Sequence, residues 1–264
     1  MTEPEFTDSL SKKTFQVLHL GQIPYIRVKA FYEPTLCMHA LKKLNQSAQL
    51  KSYPELPSFQ RVGTPFAQGY EHFLKHDDPS ILTDYFQNSF NMMKHVRDLF
   101  YPYASPIDNL RLLLDEIWDS GAHLKTVNKQ KYFAGIVRLM QNSEVSLPPH
   151  IDRYLSYDPN MDKTYDTQFS ANIYIDTPQS NGQLNLWLKP ITNIASEQKF
   201  NLAVCEEGSF PPDPQFSISP EQGDLIIFNA SLLHSVTGNI AGSRISLGLF
   251  IGINNPTEPL EFWS

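Results

Sequence analysis

Residues 223–246 read GDLIIFNASLLHSVTGNIAGSRIS, and the fold follows from how this stretch divides. Gly223-Asp224 is a turn signal, and Leu225 to Phe228 is a short apolar run that fits a buried strand. His234 lies just beyond it. Ten residues later (244 − 234 = 10) Arg244 opens RISLGLFIGI, where Ile245, Leu247, Leu249, Ile251 and Ile253 alternate with Arg244, Ser246, Gly248, Phe250 and Gly252. A period of two is that of a strand, so Arg244 and Ser246 share one face.

Outward from this stretch the same pattern recurs back to residue 131. Strands are expected at roughly 132–140, 145–151, 170–176, 183–188, 224–229, 234–237 and 244–253, spaced by turn-rich segments. Short strands so spaced fit a double-stranded β-helix, a jelly-roll, so the fold class is mainly β with supporting helices. The first half supplies those helices. PTLCMHALKKLNQSAQ places Leu36, Ala40, Leu41, Leu44 and Ala48 at helical spacing. A second helix starts at Asp78-Pro79, buries Leu82, Tyr85, Phe86, Phe90, Met93 and Val96, and stops by Pro102. A third runs from Ser105-Pro106 to Ser120-Gly121 with Leu110, Leu113, Leu114, Ile117 and Trp118 inward. Between the first two, LKSYPELPSFQRVGTPFAQGY, with three prolines and two glycines, reads as an irregular loop without elements of its own. The expected organisation is one domain over 1–264: helical support and substrate-side loops over 1–130, the core over 131–254 and a tail over 255–264.

Within the core, His150-Ile151-Asp152 occupies an extended segment, which turns His150 and Asp152 to one side and Ile151 to the other. The pair is either a hydrogen-bonded surface pair or two ligands of one ion. From Asp152 to His234 is 234 − 152 = 82 residues, enough for strands to run out and return a third ligand. Two imidazoles and a carboxylate on one face of an octahedral ion leave three positions open, as oxygen chemistry with a bidentate co-substrate requires; a structural zinc site would fill them. Arg244 with Ser246 beside it suits the distal carboxylate of a dicarboxylic acid, because a guanidinium fork fixes both position and orientation.

The order His-x-Asp (150–152), Gly182-Gln183-Leu184, His-x-Val (234–236) and Arg-x-Ser (244–246) resembles the 2-oxoglutarate and iron(II)-dependent dioxygenase superfamily. VRLMQNSEVSLPPHID and FSANIYIDTPQSNGQLNLWLKP are similar to the subgroup of free-lysine and indole-alkaloid halogenases and their hydroxylating relatives, over about residues 130–254. The resemblance implies iron(II) held by His150, Asp152 and His234, and 2-oxoglutarate held by Arg244, Ser246 and Asn172, with O2 as the oxidant. The halogenases of that subgroup carry a Gly or Ala where this chain has Asp152. With the carboxylate present no position is left for chloride, so hydroxylation or a related oxidation is expected. The expected substrate is a small molecule, a free amino acid or an amino-acid-derived intermediate. The alternatives are a hydroxylase of protein- or carrier-bound residues and a non-catalytic ligand-binding jelly-roll.

Composition sets limits on partners. With 264 residues and 41% apolar content the chain can bury one sizeable core. A net charge of −7 and no basic stripe disfavour a nucleic-acid substrate. MTEPEFTDSLSKK lacks a secretory pattern and no apolar run reaches spanning length, so a cytoplasmic protein without membrane contact, monomeric or weakly dimeric, is expected. Cys37 and Cys205 lie far apart, which argues against a disulfide framework or a Cys-rich metal site.

Substrate-facing residues are readable only by position. The insertion RYLSYDPNMDKTYDTQF follows Asp152 directly and carries Tyr154 and Tyr157; it is either a lid over the substrate or a solvated loop. Asn172 and Tyr174 share a face of their strand and Trp187 lies in the strand that opens at Gly182; each either lines the pocket or simply packs, and Asn229 is a further candidate for the substrate side. Arg138, 150 − 138 = 12 residues before the first ligand, either holds a substrate carboxylate or completes a structural ion pair.

Overall fold

A computed structural model describes residues 9–53, 58–142, 144, 147–152, 165–188, 213–238 and 240–264. Its larger sheet contains β1 (Tyr25–Val28), β2 (Lys51–Ser52), β3 (Phe59–Val62), β4 (Ala122–Leu124), β7 (Ile136–Gln141), β9 (Thr167–Asp176), β12 (Leu225–Asn229), β14 (Ser243–Ile253) and β15 (Leu260–Trp263). A smaller sheet is built from β8 (Leu147–His150), β10 (Leu184–Trp187), β11 (Phe216–Ile218) and β13 (Leu233–Val236), and β5 (Thr126–Val127) pairs β6 (Gln130–Lys131). The order across the larger sheet is β1-β12-β9-β14-β7-β3-β2, with β15 and then β4 attached beside β14; across the smaller it is β11-β10-β13-β8. The two sheets enclose the jelly-roll interior.

The alternation in β14 explains the layering. Ile245, Leu247, Leu249 and Ile251 join Ile173, Leu225 and Ile227 in the main core, on the face covered by helices. The opposite face looks into the barrel, where Tyr174, Ile226 and Phe228 meet Leu184 and Leu186 of the smaller sheet. The cover comprises α1 (Lys12–His19), α2 (Pro34–Leu44), α3 (Phe66–His76), α4 (Pro79–Phe100) and α5 (Pro106–Ile117). Proline opens α2, α4 and α5, and the Asp78 side chain accepts from the Ser80 amide at 2.9 Å to cap α4. No helix among the described residues is long and apolar enough to cross a membrane.

Several expectations need correction. The stretch 50–70 is not an irregular loop: it holds β2, β3 and the start of α3. Its prolines and glycines mask strand β3, whose four residues are stabilised by antiparallel pairing with β7, a strand well along the chain. The stretch 255–264, expected as a tail, holds β15, which extends the larger sheet and buries Leu260, Phe262 and Trp263. Helix α2 ends at Leu44, leaving Ala48 exposed, and Phe90 on α4 is 64% exposed instead of inward.

The turn before β12 is fixed from two sides. Gly223 has φ +88°, and a Cβ there would lie 2.2 Å from the Tyr32 carbonyl oxygen, so a side chain is excluded. Next to it the buried Asp224 carboxylate takes the Arg27 guanidinium at 2.5 and 2.7 Å and the amides of Glu221 and Ala30 at 2.9 and 3.3 Å. Removing one partner of such a pair leaves an uncompensated buried charge. Asp224→Ala is therefore expected to cost about 3 kcal/mol, the lower end for a buried pair because the exposed Glu221 also reaches Arg27. A lower urea midpoint at unchanged slope is the measurement; an unchanged midpoint would refute this account.

Candidate metal centre

His150 and His234 meet because β8 and β13 are antiparallel with these two residues in direct register. His150 closes β8, an edge strand, which tolerates Pro148 and Pro149 before it. Asp152 lies just past the strand, its amide bonded to the Ala230 carbonyl at 2.9 Å, while Ile151 turns away and is buried. The three side chains have ligand atoms within 4.8 Å of one another. His234 Nε2 is 3.3 Å from Asp152 Oδ2, His150 Nε2 is 4.0 Å from Asp152 Oδ1, and the imidazole centroids are 4.1 Å apart.

Both tautomers are set by the backbone. His150 Nδ1 lies 2.7 Å from the Pro148 carbonyl and His234 Nδ1 2.9 Å from that of Leu232. A carbonyl only accepts, so each Nδ1 carries the proton and each Nε2 presents a lone pair to the cluster. Burial, then the neighbouring His234 charge, lowers the His150 pKa to about 4 against the opposing pull of Asp152, which keeps this imidazole neutral and ligand-ready at neutral pH. For Asp152, burial pushes the pKa up, but the nearby His234, His150 and then Arg138 outweigh it, and the net shift is downward. Donors about 2.1 Å from one ion at right angles would lie about 3.0 Å apart, so a small closing movement brings these atoms onto adjacent octahedral positions. The donor set fits iron(II).

Across the interior, β14 and β9 present a second constellation. Arg244 is buried; its Nε donates to the Gly182 carbonyl at 3.1 Å and its Nη2 to the Tyr174 hydroxyl at 3.2 Å, with the guanidinium 5.1 Å from the Tyr174 ring centre. Among the described residues Arg244 has no carboxylate partner. Tyr174 is fully buried, and burial, partly offset by Arg244, raises its pKa, so it remains a phenol. Since the phenol oxygen accepts from Arg244, its own hydrogen is left to donate. Ser246, two residues along the same face, stands opposite Tyr174 on one side and Arg138 on the other. The sequence puts Tyr174 on the Asn172 face, either lining the pocket or packing; its pairing with Arg244 needs the strand register.

The remaining candidates divide. Asn172 faces inward opposite Gly248 and donates to Ser170 Oγ at 3.0 Å. Trp187 does not line the interior: it stands opposite Leu233, while its neighbour Leu186 is the residue opposite His234, so the alternation turns Trp187 to the far face. Asn229 is also displaced. It stands opposite Phe169 of the helix-side core, and its Oδ1 accepts from the Ser231 amide at 2.9 Å, closing the turn that leads to His234. Tyr154 and Tyr157 lie outside the described residues, as does Cys205, whereas Cys37 is a buried free thiol. Phe228, absent from the expected set, packs edge-on to His234 at 4.9 Å and seals one side of the cluster with hydrocarbon.

A family model described as "Carrier-protein-independent halogenase WelO5" matches residues 10–264. The L-isoleucine 3(1)-dioxygenase of Pantoea ananatis (strain AJ13355) is 29% identical over 171 residues, 59% of this chain and 56% of that protein. An L-gamma-glutamyl-L-propargylglycine hydroxylase of Streptantibioticus cattleyicolor is 25% identical over 162 residues, 60% of this chain and 59% of that protein. The chain thus spans less than two thirds of the length of either curated relative. The crystal structure of an N-substituted L-amino acid dioxygenase from Burkholderia ambifaria AMMD superposes with a TM-score of 0.66 at 12% identity, covering 96% of this chain and 91% of that one. At that identity the likeness is one of fold.

Proposed function

The chain belongs to the family of the carrier-protein-independent halogenase WelO5, and from that premise we propose that it is an iron(II)- and 2-oxoglutarate-dependent oxygenase that hydroxylates an aliphatic C–H bond of a small molecule. The substrate class is a free amino acid or an amino-acid-derived intermediate, the class named in the activities of its curated relatives. The observation that carries the reading is the cluster of buried His150 and His234 with half-buried Asp152, facing the same interior as Arg244, which has no carboxylate partner among the described residues.

Each residue has a defined task in this proposal. His150, Asp152 and His234 would hold the iron, and Arg244 with the Tyr174 hydroxyl would take the distal carboxylate of 2-oxoglutarate beside Ser246. Bound there, the metal and co-substrate supply oxidative decarboxylation of 2-oxoglutarate to succinate and carbon dioxide and thereby the oxidising power for the C–H bond. The Pro148 and Leu232 carbonyls hold the imidazoles in their ligating tautomer, and the Ala230 carbonyl fixes the backbone of Asp152. Phe228, Ile226, Leu184 and Leu186 exclude water from the inner side. Asp152 decides between the outcomes known in the family's name and those of the curated relatives. Its carboxylate takes a position that a halide would need, so the proposed product is hydroxylated and not halogenated.

Anaerobic titration of the metal-free protein with iron(II) and then 2-oxoglutarate tests the proposal, through the weak visible charge-transfer band of the chelate. Its appearance, followed by succinate formation when oxygen and free L-amino acids, L-isoleucine first, are supplied, is the expected result. No band in the wild-type protein would overturn the reading.

A further inference from the structure

We infer that Arg138 forms a second carboxylate-binding site inside the barrel, on the face of β7 and β14 that also carries the Arg244 clamp, and distinct from that clamp and from the metal ligands. The inference rests on the proposed oxygenase reading for the identity of its ligand, and on the following geometry for its existence.

Arg138 lies on β7 directly opposite Ser246 of β14, and directly opposite residues of an antiparallel pair share a face. That face is the one carrying Arg244 and Ser246, so the guanidinium projects into the interior and not toward the helices. Its position there is bounded by Gly248. A Cβ on Gly248 would lie 3.2 Å from Arg138 Nη1 and 2.8 Å from Asn172 Oδ1. The absent side chain is therefore what allows an arginine from β7 and an amide from β9 to converge over one point of β14. Arg138 is also close enough to the metal cluster for its charge to be felt there. After burial, the His234 charge and the pull of Asp152, it contributes to the lowering of the His150 pKa, and after the imidazoles it contributes to that of Asp152.

The electrostatics are unresolved within the protein. Arg138 is half-buried and, among the described residues, has neither an ion-pair nor a hydrogen-bond partner. Other arginines of the protein have partners within it. Arg61, opposite Arg138 on β3, donates to Gln68 at 2.5 Å and to Thr64 at 3.1 Å and covers the Tyr53 ring. Arg27 has Asp224, and Arg97 has Asp108. A structural ion pair, the alternative open from sequence, is thus not formed by Arg138 with any described residue. A guanidinium held half out of water beside a metal site is stabilised by an anion with a planar fork of oxygens, which is a carboxylate.

Two carboxylates can reach this point: that of the substrate amino acid and the keto-acid end of 2-oxoglutarate. Wild-type protein, Arg138→Gln, Arg138→Lys and Gly248→Ala separate them. Loaded anaerobically with iron(II), each is titrated with 2-oxoglutarate by the chelate band, and the resulting complex with L-isoleucine and L-isoleucinamide by thermal stabilisation. If the substrate is the source, the wild type binds the free acid about tenfold or more tightly than the amide, and Arg138→Gln loses that preference with 2-oxoglutarate binding unchanged. If the co-substrate is the source, Arg138→Gln raises the half-saturating 2-oxoglutarate concentration about tenfold or more and leaves any acid preference intact. In either case Arg138→Lys retains part of the effect, and Gly248→Ala reproduces the loss with the arginine still present. Unchanged 2-oxoglutarate binding together with unchanged acid-to-amide discrimination in a folded Arg138→Gln overturns the inference. A missing chelate band in the wild type would count against the oxygenase reading instead. Thermal stabilisation of the metal-free proteins by 2-oxoglutarate and by L-isoleucine would then still decide whether Arg138 binds a carboxylate, an equal shift in wild type and Arg138→Gln being the negative result.

Discussion

Asp152→Ala is expected to weaken iron(II) binding by roughly a hundredfold or more and to stop succinate formation. Outer-sphere partners of metal ligands alone are worth about 10–100-fold in affinity, and Asp152 would be a ligand. The carboxylate bridges the two imidazoles, 3.3 Å from one Nε2 and 4.0 Å from the other, so its loss removes both a donor atom and the charge that balances a dication. His150→Ala and His234→Ala remove one nitrogen each and are expected to behave alike. A structural role would look different. The metal-free variants should melt close to the wild type, because Asp152 is held through its backbone amide by Ala230 and its side chain serves the cluster only. Iron(II) at a hundred times its dissociation constant stabilises a protein by about 2.7 kcal/mol. For a chain of this size that is roughly 5–10 °C in melting temperature, present in the wild type and absent in the variants. Equal metal-induced shifts in Asp152→Ala and wild type would remove this residue from the ligand set.

How much of this was legible from the chain follows from which signals are local. The meeting of His150, Asp152 and His234 could be anticipated because the spacing of His150 and Asp152 is the period of a strand and His234 follows an apolar run closed by turn residues. The inward face of β14 was legible for the same reason, since five aliphatic side chains mark the helix-side face by alternation. What failed depended on pairing. Whether Trp187 lines the pocket or packs could not be read locally, nor could the place of Asn229; the register puts the odd and even positions of β10 and β12 on opposite faces, and each fell on the outer one. The Tyr174 contact with Arg244 depends on the register shift in the β14–β9 ladder between Ile245 and Ser246. No local pattern encodes such a shift. Strand β3 is likewise stabilised by a partner far along the chain, β7, and β15, beside its chain neighbour β14, also pairs the remote β4. Phe90 shows the converse limit, because an aromatic at helical spacing need not be covered by anything.

Arg244→Ala is expected to raise the 2-oxoglutarate concentration needed for half-maximal chelate formation about a hundredfold while leaving iron(II) affinity nearly unchanged. A bidentate guanidinium–carboxylate contact in a desolvated interior contributes two charge-assisted hydrogen bonds, each worth about 1.5–3 kcal/mol, and about 1.4 kcal/mol is a factor of ten. The iron should be indifferent, since Arg244 touches Gly182 and Tyr174 and none of the three ligands. Arg244→Lys tests whether charge alone suffices. A lysine presents a point charge without the fork, cannot hold the Gly182 carbonyl and a carboxylate in one plane, and is expected to recover only part of the loss. Tyr174→Phe removes the second donor but keeps the ring beneath the guanidinium, so a smaller effect, about tenfold, is expected on the same concentration. The order of the three variants is the diagnostic. If Arg244 and Tyr174 grip one carboxylate together, Arg244→Ala combined with Tyr174→Phe should lose less than the product of the single losses, because removing the arginine already leaves the phenol without the partner that orients it. Strict multiplicativity would mean that the two residues act on different groups. An unchanged 2-oxoglutarate requirement in Arg244→Ala would move the clamp elsewhere in the barrel.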